Sequence, residues 1–554
     1  MQEIQNELKN TIQSLYRLDS DFDFTPSPEN IAADFSTNAP LKLAKTLKKS
    51  PLIIAEELAQ NLKNQTFFEH IELNVSAPGF LNFILPDEYL NAKIANFSAN
   101  FAKNISSDEY FGKTVICEFS DPNPFKVLHV GHLYTSIVGD SISRLFEYAG
   151  AKVIRANFGG DVGLHVAKTM YILAQKSLQD IHIEDIANCY VEGTAAYEDS
   201  PEAKKEITKL NKEIYQINAE NIHGTPLSDL YWHGRELSYT YFKDFYARIG
   251  LKFDKYYPES TVASLGLKIV KEQLEKGVYQ ESAGAVVFDG EKFGLHTRVF
   301  INQVGVPTYE AKDVGLIFTK WNDYHFDKSV VITGNEQLDY MKVVLKSVEQ
   351  YAPELVAKTS HLTHGLVKLP GNVKMSSRKG NFLKAVDVLD MVRDALKSEY
   401  QNEDEVVALA ATKYAFLKYK MGGQIIFDPQ ESVKMTGNSG TYLLYSAVRA
   451  KKILEKTKNQ SQHQNQHSLT TPERNLIKKI LAYKNVLSEA LSEMAPHKVA
   501  TYLYGLSQDF SRFYENCPVA GSPAESSRKQ LVKLYLDIMT HGLNLLGIVI
   551  PEEM

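Results

Sequence analysis

Residues 115–133 read Val-Ile-Cys-Glu-Phe-Ser-Asp-Pro-Asn-Pro-Phe-Lys-Val-Leu-His-Val-Gly-His-Leu, and few folds accommodate such a stretch. It opens with a largely apolar run, 115–119, short enough for a buried strand. The turn-forming cluster Ser120-Asp-Pro-Asn-Pro124 stops that strand. Beyond His129-Val-Gly-His132 the apolar residues recur at helical spacing. Val138, Ile142, Leu145, Phe146 and Ala149 share one face, with Gly150 as a C-terminal stop. Val153, Ile154 and Ala156 follow at once, so the order is strand, loop, helix, strand. That is the βαβ unit of a parallel sheet. His129-Val-Gly-His132 then falls where strand gives way to helix, where free backbone N–H groups and the helix dipole attract phosphate. Gly131 leaves room for a base or ribose to approach the backbone. Two imidazoles three residues apart share a helical face and can donate to one phosphate. The same residues also fit two histidines that merely satisfy a helix terminus. A zinc site would need further ligands at a recognisable spacing, and Cys117 on the strand is the sole cysteine nearby.

A chain of 554 residues exceeds what one core supports and divides into three or four domains. Cys117, Cys189 and Cys517 lie far apart and form no Cys-x-x-Cys pair, which points to a reducing cytoplasm rather than a disulfide framework. There is no run of 18 apolar residues and no charged-then-apolar start, so a cytoplasmic protein without a membrane span is expected. The net charge of −6 excludes a surface coated in positive charge. Local basic faces (Lys42, Lys45, Lys48 and Lys49; Arg449, Lys451 and Lys452) are open to phosphates as well as to solvent.

The pattern is that of a multidomain α/β protein. Residues 1–105 read as a small α+β domain. Ile4, Leu8, Ile12 and Leu15 mark a first helix, helices around Leu41–Leu47 and Ile53–Leu62 follow, and a hairpin pairs 67–75 with 80–85. A Rossmann-type parallel-sheet domain is expected over 106–370, with the glycine-rich turn Asn157-Phe-Gly-Gly-Asp-Val-Gly163. A charged helical insertion at about 168–250 separates two halves of the sheet, and strands return at Ala285-Val-Val-Phe288 and Ser329-Val-Val-Ile-Thr333. Residues 371–430 carry a loop and a connecting helical region. The loop, Leu369-Pro-Gly-Asn-Val-Lys-Met-Ser-Ser-Arg-Lys-Gly380, gathers Lys374, Arg378 and Lys379 with Ser376 and Ser377 between glycines. It could close over a triphosphate, although taken alone it reads first as an exposed basic loop. Helical periodicity at 406–419, 442–454, 476–494, 498–514 and 529–546 makes 431–554 an all-α bundle. The polar tract 456–467 reads as low complexity.

His129-Val-Gly-His132 after a strand, followed more than two hundred residues later by Lys374-Met-Ser-Ser-Arg378, resembles the paired signatures of class I aminoacyl-tRNA synthetases. Among these the chain is similar, from end to end, to the arginyl-tRNA synthetase family. The likeness is carried by Glu118-Phe-Ser-Asp-Pro-Asn123, Asn157 to Gly163, Pro307-Thr-Tyr-Glu-Ala-Lys-Asp313, Gly334-Asn-Glu-Gln337, Phe513-Tyr-Glu-Asn-Cys-Pro-Val519 and Pro551-Glu-Glu-Met554.

The resemblance implies ATP-dependent attachment of L-arginine to tRNA(Arg) through an arginyl-adenylate, with release of AMP and pyrophosphate. It implies catalytic roles for His129, His132, Lys374, Arg378 and Lys379. ATP contacts would come from those histidines with Gly131, Met375, Ser376 and Ser377. The arginine site would comprise Glu118, Asn123, Tyr309, Asp313 and Gln337, with Asp313 on the guanidinium. Mg²⁺ would ride with ATP, with no dedicated metal ligands and no prosthetic group. The N-terminal domain resembles the one this family uses on the corner of tRNA, and the bundle its anticodon-binding domain. A monomer is expected, and activation that waits for tRNA. Two departures stand out. Ser377 occupies the place of the class signature's second lysine, leaving Arg378 or Lys379 to supply that charge. Val162 stands where many relatives have tryptophan, which reads as a change in the pocket wall. The alternatives are a class I synthetase for another amino acid and a catalytically silent tRNA-binding protein; intact histidines and an intact lysine loop argue against the silent protein.

Overall fold

The computed structural model describes residues 2–19, 21–28, 31–176, 181–371, 383–457 and 468–554. Five parallel strands form the central sheet, in the order Thr359–His364, Lys328–Gly334, Thr114–Glu118, Lys152–Gly159 and Lys255–Pro258. Chain order therefore reverses between Lys328–Gly334 and Thr114–Glu118. In an open α/β sheet, the loops leaving the carboxyl ends at such a reversal part and leave a crevice.

The helix between the first two sheet strands, Val130–Tyr148, is the expected one, and it ends before Gly150, whose φ is +86°. Its composition is poor for a helix: Gly131, Gly139 and the β-branched Thr135, Ile137, Val138 and Ile142 each cost up to about 1 kcal/mol relative to alanine. Burial decides the matter. Leu133, Tyr134, Ile137, Val138, Ile142, Leu145 and Phe146 are all 3% exposed or less, and each such side chain contributes roughly 1.5–3 kcal/mol on leaving water. The helix packs on the sheet and also on three helices of the C-terminal bundle. Gly139 permits the close approach to the sheet side, because a Cβ there would run into the Phe119 ring.

The bundle comprises Gly440–Lys456, Thr471–Leu481, Tyr483–Ser492, Pro496–Asn516 and Glu525–Leu545. The single helix expected over 476–494 is two, parted at Ala482. The bend delivers Tyr483 into the core, where its hydroxyl meets His541 Nδ1 at 2.7 Å. Catalytic-side residues cap the carbonyls at the end of the last bundle helix. Ser141 Oγ donates to Leu545 O at 2.8 Å, Arg144 to Asn544 O at 3.2 Å, and Lys413 Nζ to Gly547 O at 2.6 Å. Arg474 ties the bundle to the N-terminal unit, donating to both carboxylate oxygens of Asp34, to Asp87, and to Leu85 O at 2.6 Å.

Several expectations need correcting. The N-terminal hairpin is Glu72–Ser76 with Phe80–Ile84, residues 66–68 forming a 3₁₀ turn instead of strand. Two short strands, Phe24–Pro26 and Phe35–Thr37, complete a four-stranded antiparallel sheet. Ala285–Phe288 does not belong to the parallel sheet; it pairs antiparallel with Gln280–Ser282 and Arg298–Ile301. Residues 458–467 of the polar tract lie outside the described residues. No helix among the described residues is long and apolar enough to cross a membrane.

The helices Glu259–Glu275 and Tyr309–Tyr324 cross at Gly266 and Gly315, where an added Cβ would strike the Ala311 or the Val262 carbonyl. Gly315→Ala should destabilise the protein by about 1–3 kcal/mol, seen as a lowered melting temperature. It should also raise KM for arginine, which Asp313, two residues away, is expected to hold. Gly423→Ala, where nothing lies within 4 Å of the added Cβ, should melt like the parent.

Candidate active site

A cleft of about 760 Å³ lies at the carboxyl ends of the central strands, within the range of small-molecule sites. Glu118, Asn123, His129, Gly131, His132, Tyr309, Asp313 and Gln337 all line it. They arrive from four places: the end of Thr114–Glu118 and its loop, the start of Val130–Tyr148, the start of Tyr309–Tyr324, and the turn after Lys328–Gly334. Lys374, Met375, Ser376, Ser377, Arg378 and Lys379 lie outside the described residues. The chain just downstream is tied to the histidine segment: Val130 N donates to Leu383 O, and Ala385 N to Leu128 O, both at 2.9 Å.

That tie corrects the expectation of free backbone donors at the helix start. Val130 N–H is spent on Leu383, and Gly131 N–H donates to His129 Nδ1 at 3.1 Å. His129 N–H in turn donates to His132 Nδ1 at 3.1 Å. Each imidazole accepts at Nδ1, so each carries its proton on Nε2. The rings stack with centroids 3.8 Å apart. Burial, with Lys126 nearby, holds His129 neutral by lowering its pKa to about 4. Burial, then His129 and Lys126, push His132 well below the ordinary imidazole range. The helix terminus thus presents two neutral N–H donors relayed through imidazole rings.

The opposite end of the cleft is acidic. Asp313 is 8% exposed and accepts a hydrogen bond from the Tyr340 hydroxyl. Burial raises its pKa to about 7; the Tyr340 bond opposes the rise and Glu118 adds to it. Nearby cations are engaged elsewhere: Lys320 with Glu118 at 2.7 Å, Arg298 with Glu310 at 3.1 Å, and Lys312 with Glu259. Asp121 also lines the cleft, accepting from Phe158 N at 2.8 Å, and its carboxyl is raised by burial and then by Glu118. Ser120 and Asp121 hold left-handed backbone, with φ of +73° and +48°, a strain of the kind found at functional sites. Asn123 Oδ1 accepts from Gly160 N at 2.7 Å and so joins the two loops that floor the cleft. Tyr309 is 61% exposed at the mouth, and Gln337 is exposed on its short turn.

Val162 is not a pocket wall. It is 1% exposed in the apolar cluster beneath the insertion, with Phe125, Val166, Met170 and Tyr231, and is absent from the cleft lining. Sequence reasoning passed over Asp121, Lys126, Glu259, Arg298 and Tyr340, all within or beside the cleft. Asp121 and Lys126 sit inside the motif already singled out and were open to notice. Glu259, Arg298 and Tyr340 carry no spacing signal.

With this geometry in view, the likenesses to known proteins are specific. Residues 97–428 match the family model for tRNA synthetases class I (R), catalytic domain. Residues 443–554 match the DALR anticodon binding domain, and residues 2–85 the arginyl tRNA synthetase N terminal domain. The arginine--tRNA ligase of Fusobacterium nucleatum is 28% identical, over 94% of this chain and 93% of its own. That of Streptococcus pneumoniae is 27% identical, over 100% and 99%. The Thermus thermophilus arginyl-tRNA synthetase structure superposes with a TM-score of 0.81 at 24% identity, covering all of both chains. The Plasmodium falciparum arginyl-tRNA synthetase follows at 0.77 and 21%, covering 100% of this chain and 99% of its own. A family model spanning more than half the chain, over a cleft with paired imidazole donors at one end and a buried carboxyl at the other, leaves one assignment: the chain belongs to the class I arginyl-tRNA synthetase family.

Proposed function

We propose that the cleft joins L-arginine to ATP and passes the arginyl group to tRNA(Arg). The observation that carries this reading is Asp313, a buried carboxyl whose neighbouring cations, among the described residues, are engaged by other acids. A guanidinium supplies the missing charge and can take a carboxylate with paired hydrogen bonds. Glu118 is the weaker candidate, because Lys320 already holds one of its oxygens.

In the first step an oxygen of the arginine carboxylate bonds to the α-phosphorus of ATP, and the bond to pyrophosphate breaks. A terminal ribose hydroxyl of tRNA then attacks the adenylate carbonyl, and AMP leaves. Such chemistry needs positioning and charge stabilisation more than a protein nucleophile. The Nε2–H groups of His129 and His132 suit phosphate oxygens, Lys126 adds positive charge beside them, and Lys374 with Arg378 or Lys379 suits the departing pyrophosphate. Mg²⁺ enters with ATP as part of that substrate. The N-terminal unit, 1–105, would grip the tRNA corner and the bundle, 431–554, its anticodon, with the insertion at 168–250 and the connector at 371–430 between them.

Incubated with ATP, pooled tRNA and each of the twenty amino acids, the protein should charge arginine alone. Pyrophosphate exchange with arginine should require tRNA. Charging of another amino acid would overturn the reading.

His132→Ala should slow adenylate formation by roughly 10²–10³, the usual effect of losing one preorganised donor, while tRNA affinity measured by filter binding stays unchanged. Asp313→Asn should lower kcat/KM for arginine by roughly 10²–10³ or more, since breaking a buried pair costs about 3–5 kcal/mol, with KM for ATP little altered.

In the empty cleft the Asp313 carboxyl is raised to about 7, so it is protonated at lower pH and must lose its proton to hold a guanidinium. KM for arginine should therefore rise as pH falls below about 7, by about tenfold per unit, and level off above it. The slope should vanish in Asp313→Asn.

A further inference from the structure

The cations at the cleft differ in what holds them. Among the described residues Arg298, Lys312 and Lys320 are each paired with a carboxylate. Lys126 has no acid within ion-pair distance there; its ammonium lies 4.6 Å from the centroid of the Tyr190 ring. Tyr190 belongs to the insertion, on helix Ile183–Asp199. With Asn123, Lys126, His129 and His132 it lines a small pocket of about 90 Å³ that shares those four residues with the main cleft. Lys126 is near enough to both imidazoles for its charge to help hold them neutral.

We propose that Tyr190 is a positioning residue, its π-face resting the Lys126 ammonium in front of His129 and His132 without neutralising it. The proposal rests on the reading that ATP phosphates occupy this end of the cleft. A carboxylate in place of the ring would hold Lys126 more firmly but cancel its field. The incoming triphosphate would then have to break an ion pair before using the cation. An aromatic face attracts an ammonium only weakly at an exposed site, carries no net charge, and yields readily to a phosphate. The insertion helix, which supplies no expected site residue, thereby acquires a part in phosphate binding.

The test is a double-mutant cycle on the full-length protein, read as kcat and KM for ATP in arginine-dependent pyrophosphate exchange with tRNA present. Tyr190→Phe keeps the ring and should stay within about twofold of the parent. Tyr190→Leu should lower kcat/KM for ATP roughly two- to fivefold, and Tyr190→Glu more, with KM for arginine unmoved in all three. In a Lys126→Met background, itself impaired towards ATP, Tyr190→Leu should cause no further loss. An equal loss from Tyr190→Leu in both backgrounds would mean that the ring merely packs the insertion, and would overturn the proposal. So would a Tyr190→Phe protein as impaired as Tyr190→Leu, or a Lys126→Met protein with parental ATP kinetics. Should Tyr190→Leu fail to fold, judged by its melting curve, the contrast between Tyr190→Phe and Tyr190→Glu decides. Arginine charging by the parent protein is a separate readout, so failure of the cycle and failure of the functional reading are distinguishable.

Discussion

The structure hangs on the burial of one helix, Val130–Tyr148, between the parallel sheet and the C-terminal bundle. Its sequence does not favour a helix in water, so its geometry is a property of the tertiary contacts on both sides. The bundle meets it through apolar packing and through Ser141 and Arg144, which cap the end of the last bundle helix. Gly547, with φ of +67°, sits against Asp140, Arg144 and Lys413, close enough that a Cβ would press on Asp140 and Lys413. The same helix begins with the paired histidines. The domain expected to hold the far end of tRNA and the groups expected to hold ATP are therefore built onto a single rigid element.

The cleft is polar from end to end in the electrostatic sense. Neutral imidazole donors and the Lys126 ammonium occupy one end, and Asp313, Asp121 and the Lys320-paired Glu118 the other. An empty site cannot keep several adjacent carboxylates ionised without partners, and burial with mutual repulsion pushes Asp313 and Asp121 towards their protonated forms. An amino acid that brings a guanidinium and an ammonium would let them ionise. On the proposed reading, ionisation at the acidic end is coupled to the entry of a cation of matching shape, which is how a pocket discriminates by charge as well as by fit.

The βαβ unit, the helical bundle and the first helices were legible because their apolar residues repeat at 3.6 or run unbroken over a buried strand. The edge strands were not. Lys255–Pro258 and Thr359–His364 are polar or aromatic mixtures at the margins of the sheet, and Gln280–Ser282 is wholly exposed, so none shows a period. The site divides in the same way. Glu118, His129, His132 and Asp313 lie within contiguous motifs. Tyr340 reaches Asp313, and Lys320 reaches Glu118, only because separate helices fold over the sheet ends, and no local pattern announces a partner that far along the chain. Val162 shows the converse error: a motif position read as functional is filled by packing against Phe125 and Tyr231.

The neutrality of the histidines matters to what the cleft can accelerate. A charged imidazolium attracts every phosphate oxygen at once, and would stabilise bound ATP about as strongly as the transition state. Uniform binding of that kind does not speed the chemical step. A neutral Nε2–H acts mainly along its own axis, and its aim is fixed from behind, because each Nδ1 is occupied by a backbone N–H of the helix start. Donors held in this way gain most when an oxygen moves into line or gathers charge as the bond to pyrophosphate breaks. On the proposed reading, the burial that lowers the pKa of His129 to about 4 keeps the pair from acting as a general anion trap, and leaves net positive charge to Lys126.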